Sequence, residues 1–242
     1  MSIRVAQISD IHARPGGQSL AALARALEWL ALAKPDVLIV SGDVGNPPWE
    51  ESYPLVREAL GAVACPILMV PGNKDDRRAL RNHFPAMPWL ADEHLSTAMR
   101  IGALRIVGLD VTVPGETFGD AAPILGWLGD QLTGGEPVVL FMHQHPFPTG
   151  FDRLDKAMCR NADALAQVIF EAPARVMLIA AGHGHRPVFT EFIDIPAVMC
   201  PSLSKANVLE FGDATAPPFD PPGLLLHIVE ENRVMSHLVA LG

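Results

Sequence analysis

The sequence predicts an α/β fold built as one domain over residues 1–242, and three observations predict it. Short β-rich runs alternate with helical patterns, that rhythm occurs twice in succession, and after Pro187 it gives way to consecutive strands. The chain has 242 residues, 49% of them apolar, enough to bury a sizeable core.

The first repeat runs from IRVAQIS through a helix at Leu20 to Ala33, with apolar residues at helical spacing, to DVLIVSG. A helix over Glu51 to Ala62 and the run PILMVPG complete a βαβαβ unit. Asp76 stands where it would cap a helix beginning at Arg77. The second repeat comprises LRIVGLD, a helix around Ile124 to Leu132, PVVLFMH, a helix near Ala162 to Phe170, and ARVMLIAAG. Beyond Pro187, PVFTEFI, AVMCP, ANVLEF, GLLLHIV and VMSHLVAL read as successive strands, the last two joined through Glu231 and Asn232 as a hairpin. The stretch ATAPPFDPP reads as a rigid connection, because too little chain follows it to form a second core.

Composition excludes several functions. Lysine and arginine total 18 against 27 acidic residues, and a net charge of −9 argues against holding a nucleic acid polymer by general phosphate attraction. A small anionic substrate would need a local cation. The scattered Cys65, Cys159 and Cys200 lack CxxC spacing, which disfavours a disulfide frame or a thiolate zinc site. No run approaches the roughly 20 apolar residues of a membrane span, and the N-terminus is too short in apolar residues for a signal peptide. The expectation is a cytoplasmic protein without a membrane partner, and a homo-oligomer is left open.

The polar residues gather at strand ends. ISDIH closes the first strand with Asp10 and His12, SGDVGN the second with Asp43 and Asn46, and PGNKDD the third with Asn73. FMHQHP ends a later strand with His143 and His145, and AAGHGHRP another with His183 and His185. In open α/β sheets the carboxyl edge is where ligands bind, so five segments can converge on one site. Asp10 and His12 are two apart, as are His183 and His185, and alternate residues of an extended segment point the same way. Singly, each of these residues reads as a cap or a turn former. Jointly, five of the nine histidines fall in these turns, leaving His83, His94, His227 and His237 as structural, and Arg186 as a surface cation.

Carboxylate, amide and imidazole donors without thiolate suit manganese, iron, cobalt or zinc. Seven donors exceed what one ion takes, whereas two ions sharing a carboxylate can clamp a phosphate and acidify a water for in-line attack. The assignment is Asp10, His12, Asp43 and His185 to one divalent ion, and Asp43, Asn73, His143 and His183 to the other.

The ordered series D-x-H, GD, GN, H and GHxH, from Asp10 to His185, resembles the calcineurin-like metallophosphoesterases. FMHQHPFPTG, LDKAMCRNADAL, GHGHRPVF, PSLSKANVLEF and PPGLLLH resemble the branch with bacterial cyclic-nucleotide phosphodiesterases and glycerophosphodiesterases. The resemblance implies a four-layer sandwich of two mixed β-sheets packed face to face and flanked by helices. It implies the same metal ligands and puts Asn46 near the site. Three positions depart from the pattern. Lys74 stands where the family has a histidine that binds phosphate and protonates the leaving alcohol. A lysine ammonium binds phosphate oxygen but holds its proton tightly at neutral pH; nearby metals would loosen it, and Asp75 and Asp76 would oppose them. Lys205 stands where relatives often carry a histidine facing the substrate, and Gln144 replaces the second histidine of HHPP. The reading is a metal-dependent phosphoric ester hydrolase, a phosphodiesterase for a small cyclic nucleotide or glycerophosphodiester. Lys74, Asn46 and Lys205 contact substrate, and Asp43 and Lys74 are catalytic. The alternatives are a phosphomonoesterase, or a metal-binding regulatory protein weakened at Lys74.

Overall fold

The structure is a computed structural model that describes residues 2–89, 94–211, 214–216 and 219–242. The first half contains strands β1 (Ile3–Ile8), β2 (Val37–Ser41), β3 (Ile67–Val70), β4 (Thr97–Ile101), β5 (Leu104–Leu109) and the short β6 (Gly119–Asp120). Its helices are α1 (Gln18–Ala33), α2 (Trp49–Leu60) and α3 (Arg77–His83). The second half holds α4 (Leu125–Gln131) behind a 3-10 turn, β7 (Pro137–Met142), α5 (Asp152–Asp155), β8 (Cys159–Arg160), α6 (Ala162–Glu171) and β9 (Arg175–Ala181). It ends with β10 (Val188–Phe192), β11 (Ile195–Met199), β12 (Leu209–Phe211), β13 (Ala214–Ala216), β14 (Gly223–Val229) and β15 (Val234–Ala240).

Two mixed sheets organise these elements. One runs β15-β14-β1-β2-β3, the other β10-β11-β9-β7-β5-β4. In the first sheet Ile8 pairs with Val40 and Val40 with Met69, so the parallel β1, β2 and β3 end together. In the second, Phe141 of β7 pairs with Ala180 of β9. The loops after these five strands therefore leave the sheets at a shared edge.

Alternation of side chains along the strands separates three apolar layers. Val5, Ile39, Leu68 and Val70 face Ile106, Val139, Phe141 and Leu178 between the sheets. On the outer side of the first sheet, Ala6, Ile8, Leu38 and Met69 pack under α1 and α2 through Leu23, Ala26, Leu30, Tyr53 and Val56. On the outer side of the second, Val138, Leu140 and Ile179 pack under α4 and α6 through Leu128, Leu165 and Ile169. The result is helix, sheet, sheet, helix. Asp76 caps α3 as expected, its carboxylate accepting from the Ala79 N–H at 2.7 Å.

The structure corrects two of these expectations and adds to others. β4 is an edge strand antiparallel to β5 that the alternating pattern did not announce, because Thr97 and Arg100 break its apolar run. Only Leu209–Phe211 of ANVLEF is a strand, and it pairs with β13 outside the main sheets. Ala214–Ala216 of the proline-rich stretch is thus strand rather than rigid connection, while Pro217 and Pro218 lie outside the described residues. His227 is a structural residue of the final hairpin, as expected, and it also joins a buried network. It is fully buried, with Nε2 3.1 Å from Gln7 Oε1 and Nδ1 2.8 Å from Ser236 Oγ, and Gln7 Nε2 donates onward to Ser41 Oγ and to the Ala181 carbonyl of the opposite sheet. Among the described residues no helix is long and apolar enough to cross a membrane.

Candidate metal centre

Three of the turns that carry the donors bend at the donors themselves, one of them also at Gly42. Asp10, His12, Asp43, His183 and His185 have φ of 51, 46, 51, 71 and 56°, the left-handed region that costs roughly 1–2 kcal/mol per residue. This overturns the expectation that the D-x-H and H-x-H pairs lie on extended backbone. They reach a common centre because each loop curls at the donor itself, held by bonds such as Asp10 N–H to Gly42 O at 3.0 Å and His12 N–H to Asp43 O at 2.8 Å. Glycines allow the close approach. A Cβ on Gly42 would lie 2.5 Å from His143 Nδ1, and one on Gly72 would lie 2.1 Å from Asp43 Oδ1.

The seven expected donors come together as two sets. One donor atom from each of Asp10, His12, Asp43 and His185 lies within 4.8 Å of the other three. In the second set His143 Nε2 is 3.2 Å from Asn73 Oδ1, 3.2 Å from His183 Nδ1 and 3.5 Å from Asp43 Oδ1. The other Asp43 oxygen, Oδ2, is 3.3 Å from His12 Nε2, so its two oxygens face the two sets.

Hydrogen bonds outside the centre orient the rings. His143 Nδ1 donates to the Ser41 carbonyl at 2.8 Å, His185 Nδ1 to the Lys205 carbonyl at 2.8 Å, and His12 Nδ1 to Asn46 Oδ1 at 3.0 Å. In its neutral form each ring thereby turns its Nε2 lone pair inward. His12 Nε2 and His185 Nε2 then face each other at 3.0 Å, and Asp10 Oδ1 is buried beside them with no hydrogen-bond partner. Acceptors converging without donors call for a cation, and the mixture of oxygen and imidazole fits a borderline divalent ion. Protonation follows the same demand. Burial works against charge on His143, yet Asp43 and Asp10 push it up to about 9. Burial would raise Asp10, but the surrounding imidazoles, His185 foremost, hold it far below the usual carboxylate range.

Asp75 secures the two loops to each other. Its carboxylate accepts from the backbone N–H groups of Gly72 at 2.8 Å, Val44 at 3.1 Å and Gly45 at 3.2 Å, and from the Tyr53 hydroxyl at 3.0 Å. Burial and the neighbouring Asp43 raise its pKa, while those N–H groups pull it down. Sequence reasoning had set Asp75 and Asp76 against Lys74, but both are engaged elsewhere: Asp75 in this latch and Asp76 in its cap. The Lys74 side chain is exposed, while its backbone N–H donates to Asp43 Oδ1 at 2.8 Å and its carbonyl accepts from Trp49 Nε1.

Asn46 sits against His12, bonding both its ring and its backbone carbonyl, and Lys205 itself carries the carbonyl that orients His185. Gln144 is buried, its amide donating to Thr117 O at 3.3 Å. His145 is also buried, its ring centroid 6.1 Å from that of His183, and burial pushes it down to about 4. Arg186 is not a surface cation. Its Nε donates to Asn207 O at 2.6 Å and its Nη1 pairs with Asp220 at 2.8 Å, with 11% of the side chain exposed. Residues missed earlier are Asp75, hidden among four adjacent polar residues, and Gln7, whose one signal was a polar residue inside an apolar strand.

Two mixed sheets with oxygen and imidazole donors gathered at their carboxyl edges define a metal-dependent hydrolase of the layered α/β class. The chain belongs to the calcineurin-like phosphoesterase family, whose profile matches residues 3–187, and it is therefore a metallophosphoesterase, a phosphoric ester hydrolase. This family uses a dinuclear divalent metal centre. A glycerophosphodiester phosphodiesterase, GpdQ, of Enterobacter lignolyticus is 30% identical over 202 residues, 80% of this chain and 72% of the relative. A cAMP/cGMP dual specificity phosphodiesterase of Mycobacterium tuberculosis is 31% identical over 175 residues, 67% of this chain and 52% of that protein. A dimetal phosphatase from Danio rerio has the same fold, with a TM-score of 0.76 over 99% of this chain and 96% of its own at 15% identity.

Proposed function

We propose that this metallophosphoesterase hydrolyses a small-molecule phosphodiester, of glycerophosphodiester or cyclic-nucleotide type, at a centre of two divalent ions. The observation that carries the reading is Asp43, whose two carboxylate oxygens face separate donor sets. Asp10, His12 and His185 would hold one ion of manganese, iron, cobalt or zinc, Asn73, His143 and His183 the other, and Asp43 both. Bound ions supply Lewis-acid polarisation of the phosphoryl group and acidify water. The names of the relatives support the diester class.

The chain's own residues do the rest. Asp75 holds the Asp43 and Asn73 loops in register, so the donors are set before substrate arrives. The exposed ammonium of Lys74 is assigned to a phosphoryl oxygen, where it stabilises charge that grows as the water oxygen attacks. Asn46 and Lys205 are assigned to the substrate rim. The departing alcohol takes up a proton, and Lys74, next in sequence to Asn73, is assigned as its donor. The domain is taken as residues 1–242 and the setting as the cytoplasm, with neither a nucleic acid polymer nor a membrane as partner and with a homo-oligomer left open. A screen of manganese-loaded protein against glycerophosphodiesters, cyclic nucleotides and phosphomonoesters tests the reading. Preferential cleavage of the diesters is expected, and turnover of monoesters alone would refute it.

A further inference from the structure

A groove of 1210 Å³ opens beside the His12 and His185 half of the centre, between the start of α1 and the segment 203–208. Its walls bring Arg14, Arg25, Arg153 and Lys205 to one cavity, in a chain whose net charge is −9. Among the described residues its one lining acid, Asp220, is already held by Arg186 at 2.8 Å. Arg153 stands 3.9 Å from Glu210, whereas the side chains of Arg14, Arg25 and Lys205 have no hydrogen bond or ion pair among the described residues. The α1 start in the same wall adds no acid in its first turn and no side-chain cap.

The backbone that carries two of these cations is tied to the centre. Lys205 is anchored by its carbonyl to His185 Nδ1, and Arg14 lies two residues beyond His12, next to an Ala13 whose carbonyl accepts from Asn46 N–H at 2.9 Å. The volume exceeds the roughly 300–1,000 Å³ of an ordinary ligand pocket, which leaves room beyond a phosphoryl group. A neutral alcohol would leave three cations without counter-charge, and a cationic one would be repelled.

We propose that this groove seats the alcohol part of the substrate and selects phosphodiesters in which that part carries a second anionic group, a carboxylate or a phosphate. The inference rests on the phosphodiesterase reading above. The test uses three p-nitrophenyl phosphodiesters whose second arm is propyl, 2-carboxyethyl or choline, so that the leaving group is constant. The manganese-loaded protein should rank them carboxyethyl, propyl, choline by kcat/KM, with the first two about tenfold apart at low salt and closer in added potassium chloride. Arg14→Gln with Arg25→Gln should shrink the carboxyethyl-to-propyl ratio by about tenfold, and Lys205→Gln alone by about threefold. Calorimetry with 2-carboxyethyl phosphate and propyl phosphate gives the same comparison without turnover. Cleavage of all three at equal kcat/KM, or a ratio that survives the double substitution, overturns the inference and leaves the function standing. Cleavage of none overturns the function and the inference with it.

Discussion

Replacing Asp75 by alanine removes a carboxylate that accepts from both the loop carrying Asp43 and the loop carrying Asn73. Three backbone N–H groups, of Gly72, Val44 and Gly45, and the Tyr53 hydroxyl lose their partner together. A buried donor left unsatisfied costs about 1–3 kcal/mol, and taking the lower end because water can reach a half-buried site gives a loss of about 3–5 kcal/mol. At a urea slope of about 2 kcal/mol per M the unfolding midpoint should fall by about 1.5–2.5 M. Asn73 and Asp43 lose their register at the same time, so metal retained after desalting should fall as well. Asp75→Asn keeps the shape but turns an N–H toward donors, and should lie between the two. Unfolding followed by circular dichroism, with metal content measured on the same samples, checks both effects. An alanine variant within about 0.3 M of wild type that retains its metal would refute the latch.

Other outcomes follow from the same geometry. Asp43→Ala should abolish ester hydrolysis while far-ultraviolet circular dichroism stays native, and turnover above about 1% of wild type would contradict its place between the donor sets. Lys74→His should speed esters of poor alkyl leaving groups relative to nitrophenyl esters, since general acid catalysis is typically worth ~10²–10⁴. An unchanged ratio of kcat/KM for the two would show that Lys74 is no handicapped acid. Burial, with His237 nearby, holds folded His227 neutral down to about 3, whereas an unfolded histidine takes its proton near 6.5. Its contribution is therefore complete above about pH 6.5 and is lost as pH falls from there toward 3, by about 2 kcal/mol at pH 5. His227→Gln keeps one donor and one acceptor and should flatten this part of the pH profile of urea midpoints. Identical profiles would exclude His227 as the source.

The alternation of IRVAQIS, DVLIVSG and PILMVPG with apolar helices was legible because both periods are local. The donors were legible for a related reason: GD, GN and GHGH place small residues and ligands directly behind apolar runs. The curl at Asp10, His12, Asp43, His183 and His185 was not, since a left-handed φ at aspartate or histidine is imposed by bonds to a neighbouring loop and not by its own sequence. Gln7 and His227 meet across 220 positions, a contact that exists only once the register of β1 with β14 is set. Arg14, Arg25 and Lys205 looked unrelated for the same reason. They share a groove because α1 begins opposite the segment that follows β11.

The number of divalent ions bound per chain tests the central claim most directly. After manganese loading and desalting, inductively coupled plasma mass spectrometry should find two ions per chain in the wild type and fewer in Asp43→Ala, because the shared carboxylate joins both donor sets. A wild-type content that stays at one ion or below, at saturating metal and with the fold intact, would contradict the two-ion centre.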